Sequence, residues 1–453
     1  MYQIKTHTML ADVITPITSY QRIRENYPRS IIFESSEYRK RTNSHSIIVF
    51  DEICAIKKDV CTEQSFAEEL KYFMLSIKFS NPEAQDGFNG IFGFSGFEAV
   101  AGMENVAINQ TKPTLEIPSY YYGFFRFVLV FDHFKSQLTI IENIPKSDTS
   151  KMEAIIRLLH NNTFYTHNFE MIGDEEHHSE EQHFLNNVKK AKNHCQLGDV
   201  FQLVISRQFS QAFLGDEFNV YRTLRSLNPS PYLFYADFGS FKLFGSSPEA
   251  QIIVANNRAE IHPIAGTYKN TGDNEVDAQR ILALKNDKKE NSEHVMLVDL
   301  ARNDLSRHCT NVTVDTYKEV QQFSHVIHLV SKVCGKLIES QTAIDAFAHT
   351  FPAGTLSGAP KIEAMQLIDS LEENGRGFYG GAIGFFSFQN TTNHAIIIRS
   401  FCSKNNKLHY QAGAGIVIDS VPEKELQEID NKLGALRKAM LEATKIHKNI
   451  KIL

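Results

Sequence analysis

The chain has 453 residues, 42% hydrophobic and 22% charged, an ordinary globular composition with length for a large core or two coupled ones. A net charge of −6 and a pI near 6.3 leave no global basic field, which argues against nucleic acid as a partner. The six cysteines are scattered without a CxxC pair, as suits reduced thiols in a cytoplasmic protein and not a disulfide framework or zinc site. No basic segment leads into an apolar run near Met1, and the longest apolar runs fall far short of the ~20 residues that cross a bilayer, so neither a signal peptide nor a membrane span is expected.

Short β-prone runs open the chain at Ile47–Phe50, Phe124–Phe131 and Gln137–Ile141, with a helix between them over Ser65–Ile77. A polar stretch from about 145 to 180 reads as a short helix and a linker. Helical spacing resumes at Glu181–Gln196 and stops at Gly198, before a strand over Val200–Ser206. Phe218–Leu227 is a helix ended by Asn228-Pro229, and Tyr232–Phe238 with Lys242–Phe244 a hairpin across Gly239-Ser240. One long helix is predicted over Glu275–Leu300. A three-stranded meander is predicted from Ala382–Phe388, His394–Phe401 and Leu408–Ala412, and a closing helix over Glu423–Ile446. Hairpins with helices between them predict an α+β fold of mainly antiparallel sheet.

Two acidic pairs stand out. Glu290 and Glu293 share one helix face, and Glu425 and Glu428 repeat the spacing on the last helix. Oxygen ligands of this kind suit a hard cation such as Mg²⁺, although solvated helix faces give the same pattern. Glycine turns at Gly266-Thr267, Gly354-Thr355 and Gly413-Ala414-Gly415 let backbone N–H groups approach a ligand, or are ordinary tight turns. None matches a nucleotide-binding fingerprint. His325 and His328 lie in an apolar run where a packed core histidine is the bland reading. Arg399 ends the run Ala395–Ile398, aimed at an anion or at a surface carboxylate.

Five runs, in order, resemble the chorismate-utilising enzymes: Gly245-Ser-Ser-Pro-Glu249, His262-Pro-Ile-Ala-Gly-Thr267, Glu293-His-Val-Met-Leu-Val-Asp-Leu-Ala-Arg-Asn-Asp304, Phe351-Pro-Ala-Gly-Thr-Leu-Ser-Gly-Ala-Pro-Lys361 and Gln411-Ala-Gly-Ala-Gly-Ile416. The resemblance spans about residues 180 to 445. It implies a two-layer, mainly antiparallel β-sandwich with helices outside and the site between the layers. It implies that Glu293 and Glu428 bind Mg²⁺, which holds the ring carboxylate of chorismate, and that Glu290 and Glu425 support that shell. Gly266, Thr267, Gly413 and Gly415 would help hold that end, with Lys432 beside it. Tyr379 and Arg399 would bind the enolpyruvyl carboxylate. Glu249 would be the general acid, Thr355 would line the pocket, and His328 would assist loss of pyruvate.

Two positions separate the members. Isochorismate and salicylate synthases carry Lys at the place of Gln202, and aminodeoxychorismate synthases carry Lys at the place of Ala265. With neither lysine present, the chain most resembles anthranilate synthase large subunits, with ammonia as nucleophile. The sister enzymes are the alternatives, and a silent chorismate- or tryptophan-binding regulatory protein is the alternative from another class. No Gly-x-Cys-x-Gly nucleophile turn is present, so a glutamine amidotransferase subunit is the expected partner in a hetero-oligomer. Phe33-Glu34-Ser35 and Asn228-Pro-Ser-Pro-Tyr-Leu-Phe234 resemble the elements that bind tryptophan as feedback inhibitor, which implicates Glu34, Ser35, Pro231, Tyr232 and Leu233, with His45 at an often basic place. The expected division is a regulatory, sheet-contributing region over 1–170 and a catalytic region over 171–453.

Overall fold

The strand Tyr120–Asp132 is buried along nearly its whole length on both faces, which only the centre of a covered sheet permits. In this computed structural model, described over residues 1–35, 44–61, 63–161, 167–322 and 326–446, that strand joins two wings of one antiparallel network. The side chains of Thr267, Lys269, Asn274, Lys289 and Val326 lie outside the description, as does His325.

One wing runs through Gly90–Ser95, Ala382–Ser387, Thr392–Ile396, Ala250–Ala255, Arg258–Ile261 and Val326–Leu337. The other runs through His45–Lys58, Ile31–Glu34, Tyr232–Asp237, Lys242–Ser247, Ser400–Lys404, Lys407–Ile416 and Gln202–Gly215. Alternate side chains of the two wings meet in one apolar cluster, Phe92, Phe94 and Ile383 from the first and Phe234, Leu243 and Cys402 from the second. Phe94 packs on Phe238 with ring centroids 5.1 Å apart.

Helices cover the outer faces. Apolar residues of Glu181–Leu197, Phe218–Leu227 and Pro422–Ala443 bury against the second wing. Phe66–Ser76, Lys288–Ser306 and Ala343–Thr350 bury against the first. The fold is the expected two-layer antiparallel sandwich with helices outside. Among the described residues, no helix is long and apolar enough to cross a membrane.

Two local expectations are corrected. The long helix over Glu275–Leu300 is two helices, Asn274–Asn286 and Lys288–Ser306. Asp287 breaks it with an extended backbone, and its carboxylate accepts the Glu290 N–H at 3.1 Å, starting a second helix with a new direction. The meander is also not continuous. The run His394–Phe401 divides at Ile397–Arg399. Thr392–Ile396 pairs with Ala382–Ser387 in one layer, and Ser400–Lys404 pairs with Lys407–Ile416 in the other. Arg399 sits at the crossing with φ +51°, a left-handed conformation uncommon outside glycine and asparagine.

Candidate active site

The crossing puts Arg399 between the layers, next to the short link from Lys242–Ser247 to Ala250–Ala255 that carries Glu249. Its backbone carbonyl accepts the Ser246 N–H at 3.2 Å. Thr355 Oγ1 donates to Glu249 Oε1 at 3.1 Å. The Glu249 residue keeps some exposed surface, but its carboxyl is enclosed by protein, and burial pushes its pKa up from 4.5 to about 8 against opposing pulls from Thr355 and Arg399. Burial pushes Arg399 down, and the nearby Glu249 counters it. A carboxyl that stays mostly protonated at neutral pH does not neutralise the guanidinium, so its charge is left for a ligand. A cleft of about 360 Å³ opens beside Glu249 and Thr355, walled by Ile261, Pro263, Leu297 and Leu300.

A bulge shapes the next wall. Ala265 faces Leu329 and Tyr268 faces Ile327, so Gly266 and Thr267 together oppose His328. Gly266 takes φ +67°, which a side chain resists. His328 Nδ1–H donates to the Gly266 carbonyl at 2.7 Å. Burial lowers the His328 pKa and Arg399 adds to that, so the ring is neutral near pH 7. A Cβ on Gly266 would lie 3.3 Å from Glu290 Oε2, which sets that carboxylate against the bulge.

The antiparallel pair of Gln202–Gly215 and Lys407–Ile416 forms the far end. Gln202 Nε2 donates to Glu293 Oε1 at 3.3 Å, and a Cβ on Gly415 would meet that same nitrogen at 2.3 Å. The Gln202 Oε1 is buried without a hydrogen-bond partner among the described residues. At Gly413 a Cβ would stand 2.9 Å from the Tyr379 hydroxyl. Lys432 Nζ donates to the Gly413 carbonyl at 2.7 Å and pairs with Glu428 Oε1 at 2.7 Å. Glu425, one turn before Glu428, is buried. Among the described residues no three His, Cys, Asp or Glu side chains form a ready-made metal cage. The donors near this end are oxygens: the carboxylates of Glu293 and Glu428 and the unpaired Gln202 carbonyl. That set fits a hard cation that keeps part of its water shell.

Residues of the second predicted group lie on neighbouring strands. Glu34 pairs with Leu233 at the end of their strand ladder, with Ser35 next after Glu34 and Tyr232, which follows Ser230-Pro231, next before Leu233. On the other side Phe33 pairs with Ile47, which brings Ser35 toward His45. Glu34 is buried, accepts the Tyr221 hydroxyl at 2.7 Å and is held by Arg225 at 2.9 Å.

Several partners escaped the sequence reading. Arg376 is buried, forks onto Glu372 at 2.8 Å and donates to the carbonyls of Leu356 and Val204, both at 2.7 Å. Its guanidinium stands 5.9 Å from the Tyr379 ring centroid. Lys361 donates to Asp304 at 2.7 Å and to the Thr350 carbonyl at 2.9 Å at the floor of the cleft. Lys361 and Asp304 end two of the quoted runs and were legible there as a pair of opposite charges. Arg376 carried no such signal.

The chorismate binding enzyme family matches residues 29–438. Anthranilate synthase component 1 of Acetivibrio thermocellus is 36% identical over 474 residues, spanning 97% of this chain and 96% of that one. The crystal structure of anthranilate synthase component I from Streptococcus pneumoniae TIGR4 has 32% identity and a TM-score of 0.75, covering 95% of this chain and 99% of that one. The menaquinone-specific isochorismate synthase from Escherichia coli, at 21% identity, shares the fold with a TM-score of 0.75 over 96% of this chain and 94% of that one.

Proposed function

Because this chain belongs to the chorismate binding enzyme family, we propose that it is the large subunit of an anthranilate synthase, a lyase that converts chorismate and ammonia to anthranilate and pyruvate. The observation that carries the reading is the Glu249 carboxyl at a pKa of about 8 beside a buried arginine. Glu249 is the general acid. It is mostly protonated at neutral pH and hands its proton to the departing ring hydroxyl. Arg399 and the Tyr379 hydroxyl bind the enolpyruvyl carboxylate by charge-assisted hydrogen bonds. His328, neutral and fixed by Gly266, assists the loss of pyruvate. Thr355 orients the Glu249 carboxyl.

Glu293 and Glu428 would hold Mg²⁺, with Glu290 and Glu425 supporting them, and the backbone at Gly413 and Gly415, with Thr267, would help hold the ring carboxylate at that end. When bound, the ion offsets the negative charge of the ring carboxylate. Lys432 keeps Glu428 and the Gly413 carbonyl in place. The Gln202 amide is no base near pH 7, so water is poorly activated, and Ala265 offers no amine for covalent attack. Ammonia is itself a nucleophile and needs neither. A cytoplasmic glutamine amidotransferase subunit supplies it, and tryptophan bound near Ser35 and Tyr232 inhibits.

The test is fluorescence of the product. The purified chain with chorismate, Mg²⁺ and ammonium should form anthranilate, lose activity with EDTA and be suppressed by tryptophan. Without the amidotransferase subunit, glutamine should not replace ammonium. Chorismate consumed without anthranilate or pyruvate would move the reading to a sister enzyme that makes aminodeoxychorismate or isochorismate.

A further inference from the structure

Residues opposite one another in an antiparallel pair share a face, and every second residue returns to it. Gly415 pairs with Val204, Gly413 with Ser206 and Gln411 with Gln208. Ser206 and Gln411 therefore lie on the site's own face of this strand pair, a short step along the strands from Gly413.

The outer edge of Gln202–Gly215 is covered in two pieces. Gly358–Ala359 pairs at Gln202 and Leu203, and Phe169–His177 pairs from Phe209 onward. Among the described residues no strand reaches Ser206 between them. Glu372 takes that place instead, accepting the Ser206 N–H at 2.8 Å and its hydroxyl at 2.6 Å. The result is a window in the wall of the sandwich. Outside it lies a cleft of about 380 Å³, with Ser179, Asn187, Asn374 and Gln411 around Ser206 and Glu372.

Arg376 stands behind Glu372, one of the residues that line that cleft. It forks onto Glu372 on one side and stands against the Tyr379 ring on the other. It also ties the carbonyl of Val204 to that of Leu356, the residue after Thr355. One side chain thus links Glu372, on the outer cleft, to Phe97 at 4.6 Å and to the neighbourhood of Tyr379 at 5.9 Å.

The lining selects a ligand class. Hydroxyl, amide and carboxylate groups offer acceptors to N–H donors, and Glu372 and Glu373 repel a dianion such as chorismate. Ammonia, with three N–H donors and one lone pair, matches. We propose that this window is the ammonia inlet of the site, with Arg376 forked on Glu372 as its inner gate. The proposal rests on the reading of the chain as an ammonia-dependent enzyme.

Two variants fill the outer cleft from residues that lie outside the strand pair: Asn374→Trp and Ser179→Trp. Each is assayed for anthranilate with ammonium chloride varied at saturating chorismate, then with chorismate varied at saturating ammonium. Thermal melting checks the fold. The expected result is a fall of about tenfold in kcat/KM for ammonium, with KM for chorismate changed by less than about twofold. Unchanged ammonium kinetics in a folded variant overturns the inlet. An equal rise in KM for both substrates also overturns it, because that marks general distortion. An unmodified chain that makes no anthranilate would instead sink the proposed function.

Discussion

Thr355 Oγ1 lies 3.1 Å from Glu249 Oε1, so the carboxyl held at about 8 has a hydroxyl donor that favours its ionised form. That contact lowers the pKa, while burial raises it by more. Replacing Thr355 by Val should push the Glu249 pKa higher and shift the alkaline limb of the kcat/KM profile upward. A limb that stays in place would dissociate Thr355 from the acid.

Glu249→Gln should lower kcat by about 10²–10⁴-fold, since it removes the proton donor and keeps the shape. The variant also reports on stability. The folded state binds this proton more tightly than an ordinary carboxyl of pKa 4.5, so unfolding is favoured as pH rises from about 4.5 to 8 and levels off above. Melting curves across that window should show the parent losing stability relative to Glu249→Gln. Parallel curves would mean the carboxyl is not held protonated.

A methyl group at Gly413 meets Val204 Cγ1 at 2.8 Å and the Tyr379 hydroxyl at 2.9 Å. Gly413→Ala should therefore raise KM for chorismate, by about tenfold or more, as small misplacements of binding groups do. The hydroxyl of Tyr379 is the movable part of that collision, so Gly413→Ala combined with Tyr379→Phe should recover less than additive losses. Strict additivity in the double variant would argue that the two residues do not share a contact.

His328→Ala should spare the first step more than the second. The expected outcome is an amino-substituted ring that still bears its enolpyruvyl ether, detected by chromatography, with anthranilate delayed. Equal loss of both would assign His328 to substrate binding instead.

Arg225→Ala leaves the buried Glu34 carboxylate with the Tyr221 hydroxyl but without this cation. Stability should fall by about 1–3 kcal/mol, read by denaturant unfolding, because Arg225 itself is partly solvent-exposed. Ser35→Phe should abolish tryptophan inhibition while leaving anthranilate formation near parental. Retained inhibition would move the tryptophan site elsewhere.

Much of the active site was legible in the chain. Glu249, Glu293 and the glycines Gly413 and Gly415 sit in runs that resemble the chorismate-utilising enzymes, and Gln202 at a position that separates their members; it was this resemblance, and not spacing alone, that carried the chemistry. The alternation of apolar residues also pointed to antiparallel sheet. What the linear pattern did not carry was where one run changes layer. His394–Phe401 reads as one strand, yet it crosses between the wings at Arg399, because the partners of its two halves, Ala382–Ser387 and Lys407–Ile416, lie in different wings of the one network. The split at Asp287 escaped for a similar reason: a side-chain cap competes with helix continuation, and local propensity does not rank the two. Arg376 was silent in sequence altogether. Its donors are satisfied by Glu372, four residues away, but also by the Val204 carbonyl 172 residues away. A buried cation acquires its position from the acceptors that folding gathers around it, and those acceptors are backbone groups that every sequence possesses.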